Sequence, residues 1–377
     1  MPKIRILVVD DSVVVRRMVS DALASDPQLE VVGAAANGKI ALAKIPQVNP
    51  DIVILDVEMP ELDGLGTLVG IRKSLPALPV IMYSTLTQRG AEATLEALSR
   101  GATDYVTKPS NVGSAAQGLE CIRTQLIPKI KAICSRALGI PVPSLLAASV
   151  ASKTLPPRLA SPRREEQINI VAIGVSTGGP NALASLIPSF PRDLPVPVVI
   201  VQHMPPVFTR LLAERLAAKS QIGVEEGYPG AVLGPGCAWL APGDYHMVVA
   251  SDHQQVTLRT YQGPPENSCR PAADVLFRSV AEVYKPHALA VVMTGMGQDG
   301  LRGCEHIRES GGQILAQDQA TSVVWGMPGF VANAGLADKV LPLDELGMEI
   351  LRRVRKGRES TREFKSAPWT VESTIPR

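Results

Sequence analysis

Short continuous apolar runs recur along this chain. Each stops at polar residues, and each is followed by a stretch whose apolar positions lie three and four apart, the alternation of buried strand and amphipathic helix. Ile4, Ile6, Leu7, Val8 and Val9 run into Asp10-Asp11-Ser12, and Val15, Met18, Val19 and Leu23 then mark a helix. Leu29 to Ala35 is a second strand, and Asn37-Gly38 opens a second helix. Ile52-Val53-Ile54-Leu55 runs into Asp56, and Asp63-Gly64 opens a third helix. Pro79 to Tyr83 runs into Ser84, and Thr103 to Val106 runs into Thr107-Lys108-Pro109. Such alternation predicts a doubly wound parallel sheet with helices on both faces.

A helical pattern continues from Ser114 to Leu138, with Leu119, Ile122, Leu126, Ile130 and Ile133 on one side and a break or kink expected at Pro128. Gly139 to Gln167 carries Pro141, Pro143, Pro156, Pro157 and Pro162 and no aromatic residue, the composition of a mobile tether. Strand–helix alternation then resumes. Ile168 to Ile173 leads into Gly174-Val175-Ser176-Thr177-Gly178-Gly179-Pro180 and a helix; Pro197 to Gln202 leads into His203-Met204-Pro205-Pro206 and a helix through Phe208, Leu211, Leu212 and Leu216. Gly234 to Val256 reads as short strands with turns, and Arg270-Pro271 starts another helix. Ala288 to Met293 leads into Thr294-Gly295-Met296-Gly297-Gln298-Asp299-Gly300; Gly312 to Ala316 is a further strand, followed by Trp325-Gly326-Met327-Pro328 and a helix. The expected division is a first domain over 1–112, a helix and Pro-rich linker over 113–167, a second domain over 168–355 and a basic tail over 356–377.

Composition narrows the function classes. At 377 residues the chain has room for two or three domains, and its 45% hydrophobic content supports large cores. The net charge of +2 is local: 351–377 carries a net of +5, which leaves −3 for the rest. That balance argues against a nucleic-acid binder. No apolar run is long enough to span a bilayer, so direct membrane insertion is not expected, and the amino terminus enters a strand directly rather than reading as a signal peptide. The 5 Cys form no C-x-x-C pair, which fits reduced thiols in a cytoplasmic protein.

In such sheets ligands sit beyond the carboxyl ends of the strands. In the first domain those ends carry Asp10, Asp11, Asp56, Ser84 and Lys108. Crowded carboxylates repel unless a cation joins them; Mg2+ prefers oxygen ligands and can hold a phosphoryl group, for which a lysine and a hydroxyl are suited partners. Any one of these residues could be a helix cap, but capping does not require the whole set. The set resembles the receiver domain of two-component response regulators, over about residues 1–112. The resemblance implies Asp56 as phospho-acceptor, Asp10, Asp11 and Asp56 around Mg2+, Ser84 and Lys108 reading the phosphoryl group, and Tyr105 as an aromatic switch.

In the second domain Ser176 stands at the end of a strand and the start of a helix, where unpaired amides favour an oxyanion or a bound phosphate. The loop alone fits a nucleophile turn and a phosphate cradle equally. His203 and Asp299 occupy other ends of the same rim, so a serine, its base and the acid that fixes the imidazole tautomer are each present once. Each could also be ordinary: Ser176 or Asp299 a cap, His203 a packed turn residue. His246 is a competing base, His253, His287 and His306 read as surface residues, and no His/Cys set has zinc spacing.

The turn around Ser176, Gln202-His203-Met204-Pro205, Leu240-Ala241-Pro242-Gly243, Arg270-Pro271, the 294–300 loop and Trp325-Gly326-Met327-Pro328 together resemble the chemotaxis protein-glutamate methylesterase family, over about residues 1–355. That resemblance implies an α/β protein of two doubly wound parallel-sheet domains, a flavodoxin-like receiver and a Rossmann-like methylesterase domain joined by a flexible linker. It implies hydrolysis of γ-glutamyl methyl esters on chemoreceptor helices with release of methanol, deamidation of receptor glutamines, and a histidine kinase as phosphoryl donor. Ser176 is then the nucleophile, His203 the base and Asp299 the orienting acid, with the Met296 amide as oxyanion donor; the Thr177 amide, at the helix start, is expected to help. No cofactor is expected for the hydrolysis itself. Val175 stands where the family usually has a smaller residue, Gln319 where an acidic one is common, and the tail after Val354 has no evident counterpart. Two other readings remain: a receiver coupled to a non-catalytic regulatory module, and a nucleotide-binding second domain.

Overall fold

The computed structural model describes residues 3–108, 115–138, 166–252, 255–356 and 358. The expected tether and tail lie outside these residues, apart from Glu166, Gln167, Lys356 and Arg358, and so does His253.

The amino-terminal sheet is built from β1 (Ile4–Val9), β2 (Leu29–Ala35), β3 (Ile52–Asp56), β4 (Val80–Ser84) and β5 (Asp104–Thr107), in the order β2-β1-β3-β4-β5. All neighbours are parallel. Helices α1 (Val13–Ala24), α2 (Gly38–Val48), α3 (Gly64–Ser74) and α4 (Gln88–Ser99) cover its faces. Each begins at a residue whose side chain accepts an amide of the first turn: Ser12, Asn37, Asp63 and Thr87. The caps are therefore supplied by neighbours of Asp10, Asp56 and Ser84, which leaves those three free of that duty. The strand order reverses between β1 and β3, so the ends of those strands flank a crevice that holds Asp10, Asp11 and Asp56.

The helical segment after this sheet runs as α5 (Ala115–Cys121), a π turn over Ile122–Leu126, and α6 (Ile127–Leu138). Pro128 does not break it. A proline cannot donate to the preceding turn and crowds its carbonyl; the widened turn just before Pro128 accommodates both effects. Ile122, Leu126, Ile130 and Ile133 are buried and join the cluster formed by Ile6, Val8, Ile54 and Ile81 of the first sheet.

The second sheet contains β6 (Ile170–Val175), β7 (Val198–Gln202), β8 (Gly223–Glu226), β9 (Cys237–Leu240), β12 (Ala288–Val292), β13 (Gln313–Gln317) and β14 (Lys339–Leu341). Its order is β14-β13-β12-β6-β7-β9-β8, parallel throughout. A separate antiparallel pair, β10 (His246–Ser251) and β11 (Val256–Tyr261), packs beside it. The helices are α7 (Gly179–Leu186), α8 (Phe208–Ala217), α9 (Ala273–Tyr284), α10 (Leu301–Glu309), α11 (Met327–Asn333) and α12 (Leu343–Arg355). The winding direction changes at β6 and β12, and the loops after these two strands carry Ser176 and Asp299. Among the described residues no helix is long and apolar enough to cross a membrane.

The two units touch. The Tyr105 ring stacks on Phe208 at 4.9 Å and 8°. Asn181 Nδ2 donates to the Ala102 carbonyl at 3.1 Å, and Arg215 pairs with Glu96 and donates to Ser99 Oγ at 2.8 Å. Leu95 and Leu98 of α4 face Pro180, Ala184 and Leu212. The helices covered, α7 and α8, are those that follow Ser176 and His203.

An ionic network fastens α12 to the sheet edge. Glu349 accepts from Arg352 and Arg353 and pairs with Lys339; Arg353, itself buried, also reaches Gln313 and Asp338. The hydrogen bond from Arg352 leads the causes that hold the Glu349 carboxyl well below the usual range, against the opposing effect of burial. Removing one partner of a buried pair leaves the other uncompensated. Glu349→Ala is expected to cost about 2 kcal/mol or more, lowering Tm by roughly 4–8 °C. Because the folded-state pKa is depressed, this contribution is present above about pH 4.3 and fades on acidification. Thermal unfolding of the variant at neutral and acid pH checks both statements: the deficit should shrink as pH falls.

Candidate active site

Ser176 is placed by three hydrogen bonds to its backbone groups. Its N–H donates to the Thr294 carbonyl at 3.0 Å, and its carbonyl accepts from the Gly179 amide at 2.8 Å and from Gln202 Nε2 at 3.0 Å. Gly178 sits at φ +76, a left-handed conformation that glycine adopts without penalty, and turns the chain into α7. A Cβ on Gly295 would lie 2.8 Å from the Ser176 Cβ and 2.4 Å from the Met327 sulfur, so only glycine lets the 294–300 loop reach the serine. The glycines around Ser176 thus serve packing and turning, and α7 carries no side-chain cap.

His203 follows β7, its amide bonded to the Val175 carbonyl at 3.2 Å. Its Nε2 lies 2.7 Å from Asp299 Oδ2, and its Nδ1 lies 3.5 Å from Cys269 Sγ. Asp299 is buried at the amino end of α9. Oδ2 also accepts the Ala273 amide at 2.6 Å; Oδ1 accepts the Asp274 amide at 3.0 Å, the Gly300 amide at 3.1 Å and Asn267 Nδ2 at 3.0 Å. Asp299 therefore does bind helix-start amides, as a capping residue would, and orients His203 as well. Burial opposes its ionisation, but the imidazole and the amides of Asp274 and Ala273 outweigh burial and hold the carboxyl below its usual range. Burial likewise opposes the charged imidazole, yet Asp299 and the Cys269 sulfur prevail and move His203 upward.

Ser176 Oγ and His203 are not hydrogen-bonded here. Both are on the same rim, and Nδ1 is the ring nitrogen that Asp299 leaves open. Such contacts are often long before substrate arrives. The amides of Met296 and Thr177 have no backbone or side-chain acceptor among the described residues. Met296 follows the Gly295 amide that donates to Val324, and Thr177 precedes α7, so both stand beside the Ser176 turn. His246 is buried elsewhere: its Nε2 donates to the Pro264 carbonyl at 3.0 Å, and its ring lies 5.6 Å from that of Tyr261. It bonds to none of Ser176, His203 or Asp299. Sequence reasoning passed over Cys269 and Asn267. Cys269 adjoins the Arg270-Pro271 pair, but nothing in its spacing announces a contact with His203; Asn267 carries no pattern at all.

In the first unit Lys108 Nζ lies 2.8 Å from both Asp10 Oδ2 and Asp56 Oδ1. Asp10, Asp11 and Asp56 can each offer one oxygen with all three within 4.8 Å of one another, the only group of this kind among the described residues. Burial lifts Asp56 to about 6, although Lys108 pulls the other way. Clustered hard oxygen donors fit a divalent cation such as Mg2+. Ser84 Oγ donates to the Gly90 carbonyl at 3.0 Å and makes no hydrogen bond to Asp56 in this arrangement. Tyr105 points into the contact with Phe208.

Fold and rim together define a two-unit protein: a receiver-like α/β unit with an acidic pocket, and an α/β domain with the residue set of a serine hydrolase. A family model described as CheB methylesterase matches residues 171–350, and one described as response regulator receiver domain matches 6–119. A protein-glutamate methylesterase/protein-glutamine glutaminase of Trichodesmium erythraeum is 57% identical, over 94% of this chain and all of its own length. One of the same description from Nocardioides sp. is 52% identical over 96% of this chain and 98% of its own. The crystal structure of the Thermotoga maritima CheB methylesterase catalytic domain is 40% identical, covers 50% of this chain and 99% of its own, and has a TM-score of 0.49. The chain belongs to the CheB methylesterase family.

Proposed function

We propose that this chain is a phosphorylation-regulated protein-glutamate methylesterase of chemotaxis signalling that also deamidates glutamines. Its substrate is a methylated chemoreceptor helix, its phosphoryl donor a histidine kinase, and its place of action the cytoplasm. The observation that carries the reading is the ionised, amide-gripped Asp299 held 2.7 Å from His203 Nε2 on the rim beside Ser176. A silent binding module has no use for a buried carboxylate arranged to stabilise an imidazolium.

Ser176 Oγ attacks the ester carbonyl and passes its proton to His203 Nδ1. The amides of Met296 and Thr177 take the oxyanion. The tetrahedral adduct collapses to a glutamyl ester of Ser176, and the imidazolium returns the proton to the departing methanol. Water, deprotonated by His203, then releases the γ-carboxylate; with glutamine the first leaving group is ammonia. Labelling by a serine-reactive fluorophosphonate, mapped to Ser176 and accompanied by methanol release from methylated receptor, tests this. Absence of both favours the non-catalytic reading.

His203 must be neutral to accept a proton. Its pKa is raised, so the neutral fraction appears only at higher pH. The acid limb of kcat/KM is therefore expected above about pH 6.5, the ordinary imidazole value. A limb centred at or below that value contradicts the assignment.

In the receiver Asp56 accepts the phosphoryl group, and Asp10, Asp11 and Asp56 would hold Mg2+. The cation, when bound, supplies charge neutralisation for the transfer. Lys108 and Ser84 contact the added oxygens, and Ser84 must leave the Gly90 carbonyl to do so. The contact through Tyr105, Phe208, Arg215 and Glu96 restrains α7 and α8, and phosphorylation loosens it. A tenfold activation needs only about 1.4 kcal/mol, within the reach of one aromatic stack and one charge pair. Phe208→Ala and Arg215→Ala are expected to raise basal turnover several-fold, while Asp56→Asn should abolish stimulation by a phosphoryl donor with Mg2+. Unchanged basal turnover in both interface variants rules out restraint by this contact.

A further inference from the structure

Behind the carboxylate that holds His203 lies a second one. Asp274 is 1% exposed and Asp299 2% exposed. Asn267 Nδ2 donates to both, at 2.8 Å to Asp274 Oδ2 and at 3.0 Å to Asp299 Oδ1. An amide –NH2 has two hydrogens in one plane, and here both are spent on these two carboxylates. The other Asp274 oxygen accepts the Gly303 amide at 2.6 Å, in the first turn of α10, and the Asp274 amide itself donates to Asp299. Asn267 and Ser268 lie at φ +51 and +62, consecutive left-handed conformations outside glycine. The chain thus spends backbone strain to bring this amide between the carboxylates.

We propose that Asp274 is a positioning residue for the hydrolysis: acting through Asn267, it fixes the plane of Asp299 and places a second buried carboxylate behind the imidazole. The inference rests on the reading of His203 as the base. Capping α10 would need one oxygen of Asp274, and the Gly303 amide uses only one. The second oxygen belongs to the shared amide. Charged and titratable groups around the pair are few. His203 is faced by Asp299 and Cys269; Asp274 is faced by Asp299, Glu266, Arg278, Arg302 and Cys304. Glu266 is paired with Arg278 at 2.6 Å and has His246 nearby, so it adds little unbalanced charge. Burial, with the neighbouring carboxylates, lifts Asp274 to about 6, so it carries its charge in the range where the base works. A buried negative charge one carboxylate removed from a forming imidazolium stabilises it through the low-dielectric interior.

The test uses the full chain and two variants, Asp274→Asn and Asn267→Ala. The His203 imidazole is titrated by NMR, its signal assigned with His203→Gln, and methyl-ester hydrolysis is followed across pH. Asp274→Asn is expected to lower the His203 pKa by about half a pH unit or more, move the acid limb down with it, and reduce kcat about tenfold with KM within about twofold. Asn267→Ala, which cuts the bridge and leaves both carboxylates in place, is expected to lower kcat and displace the titration. A purely structural Asp274 would lower Tm and leave the titration where it was; a folded Asp274→Asn chain with an unmoved His203 titration overturns the proposal. If Asp274→Asn does not fold, an unmoved titration and kcat in Asn267→Ala overturn it. Failure of the hydrolase reading looks different: the wild type itself then releases no methanol, while the His203 titration still reports on Asp274.

Discussion

Ser176→Ala is expected to keep the fold and lose ester hydrolysis by roughly four to six orders of magnitude, the usual result when one member of such a set is removed. The fold survives because the structure holds Ser176 through its backbone. Its amide bonds to Thr294 and its carbonyl to Gly179 and Gln202, and none of these needs the hydroxyl. Alanine retains the Cβ that packs against Gly295. The two explanations of this serine separate cleanly. A capping serine, truncated to alanine, costs about 1 kcal/mol of stability and leaves any chemistry alone. A nucleophile does the reverse. Because α7 starts at Gly178 without a side-chain cap, Tm should stay within a degree or two while methanol release and fluorophosphonate labelling both vanish. Near-wild-type turnover by the folded variant would sink the assignment.

The alternation of apolar runs and helical periodicity made both sheets legible, since fully buried parallel strands read as unbroken Val/Ile/Leu stretches. β1, β3, β6, β7 and β12 stand where the runs stand. β8 and β14 escaped because they are short edge strands with exposed positions, Gly223 and Glu225 in one and Lys339 and Val340 in the other, and edge strands lose the burial that gives the pattern. At Pro128 the helix does not break, because proline reports a local conflict and a π turn resolves it within the helix. The rim residues were legible because strand ends converge by topology alone. What could not be read is how side chains meet across loops. Cys269 against Nδ1, Asn267 between two carboxylates and Phe208 under Tyr105 depend on tertiary placement of residues that carry no spacing signal. The same limit applied to Ser84, whose present bond to Gly90 is set by the turn that follows β4.

Asp299→Asn is expected to lower turnover about ten-thousandfold, as the wrong imidazole tautomer does where an acid of this role has been replaced. The geometry explains why the tautomer would be wrong here. Asp299 accepts five hydrogen bonds: Oδ1 takes the Asp274 and Gly300 amides and Asn267, and Oδ2 takes His203 and the Ala273 amide. An asparagine must turn its –NH2 to one side or the other. On the Oδ1 side it would face three donors, two of them backbone amides that cannot become acceptors. On the Oδ2 side it faces one such donor, the Ala273 amide, and the imidazole, which can exchange tautomers. Each opposed buried donor costs about 1–3 kcal/mol, so the Oδ2 side wins. The new N–H then donates to Nε2, and the proton of a neutral ring moves to Nδ1. That is the nitrogen Ser176 needs as an acceptor. Raising the pH cannot recover activity, since the neutral ring is already the wrong one. A variant whose rate returned to near wild type at high pH would mean that Asp299 only tunes a pKa. One further comparison fixes the role: His203→Ala should be as inactive as Asp299→Asn, and the double variant no worse than either, because two residues that act as one unit are not additive. Additive losses would show that Asp299 works on something other than His203.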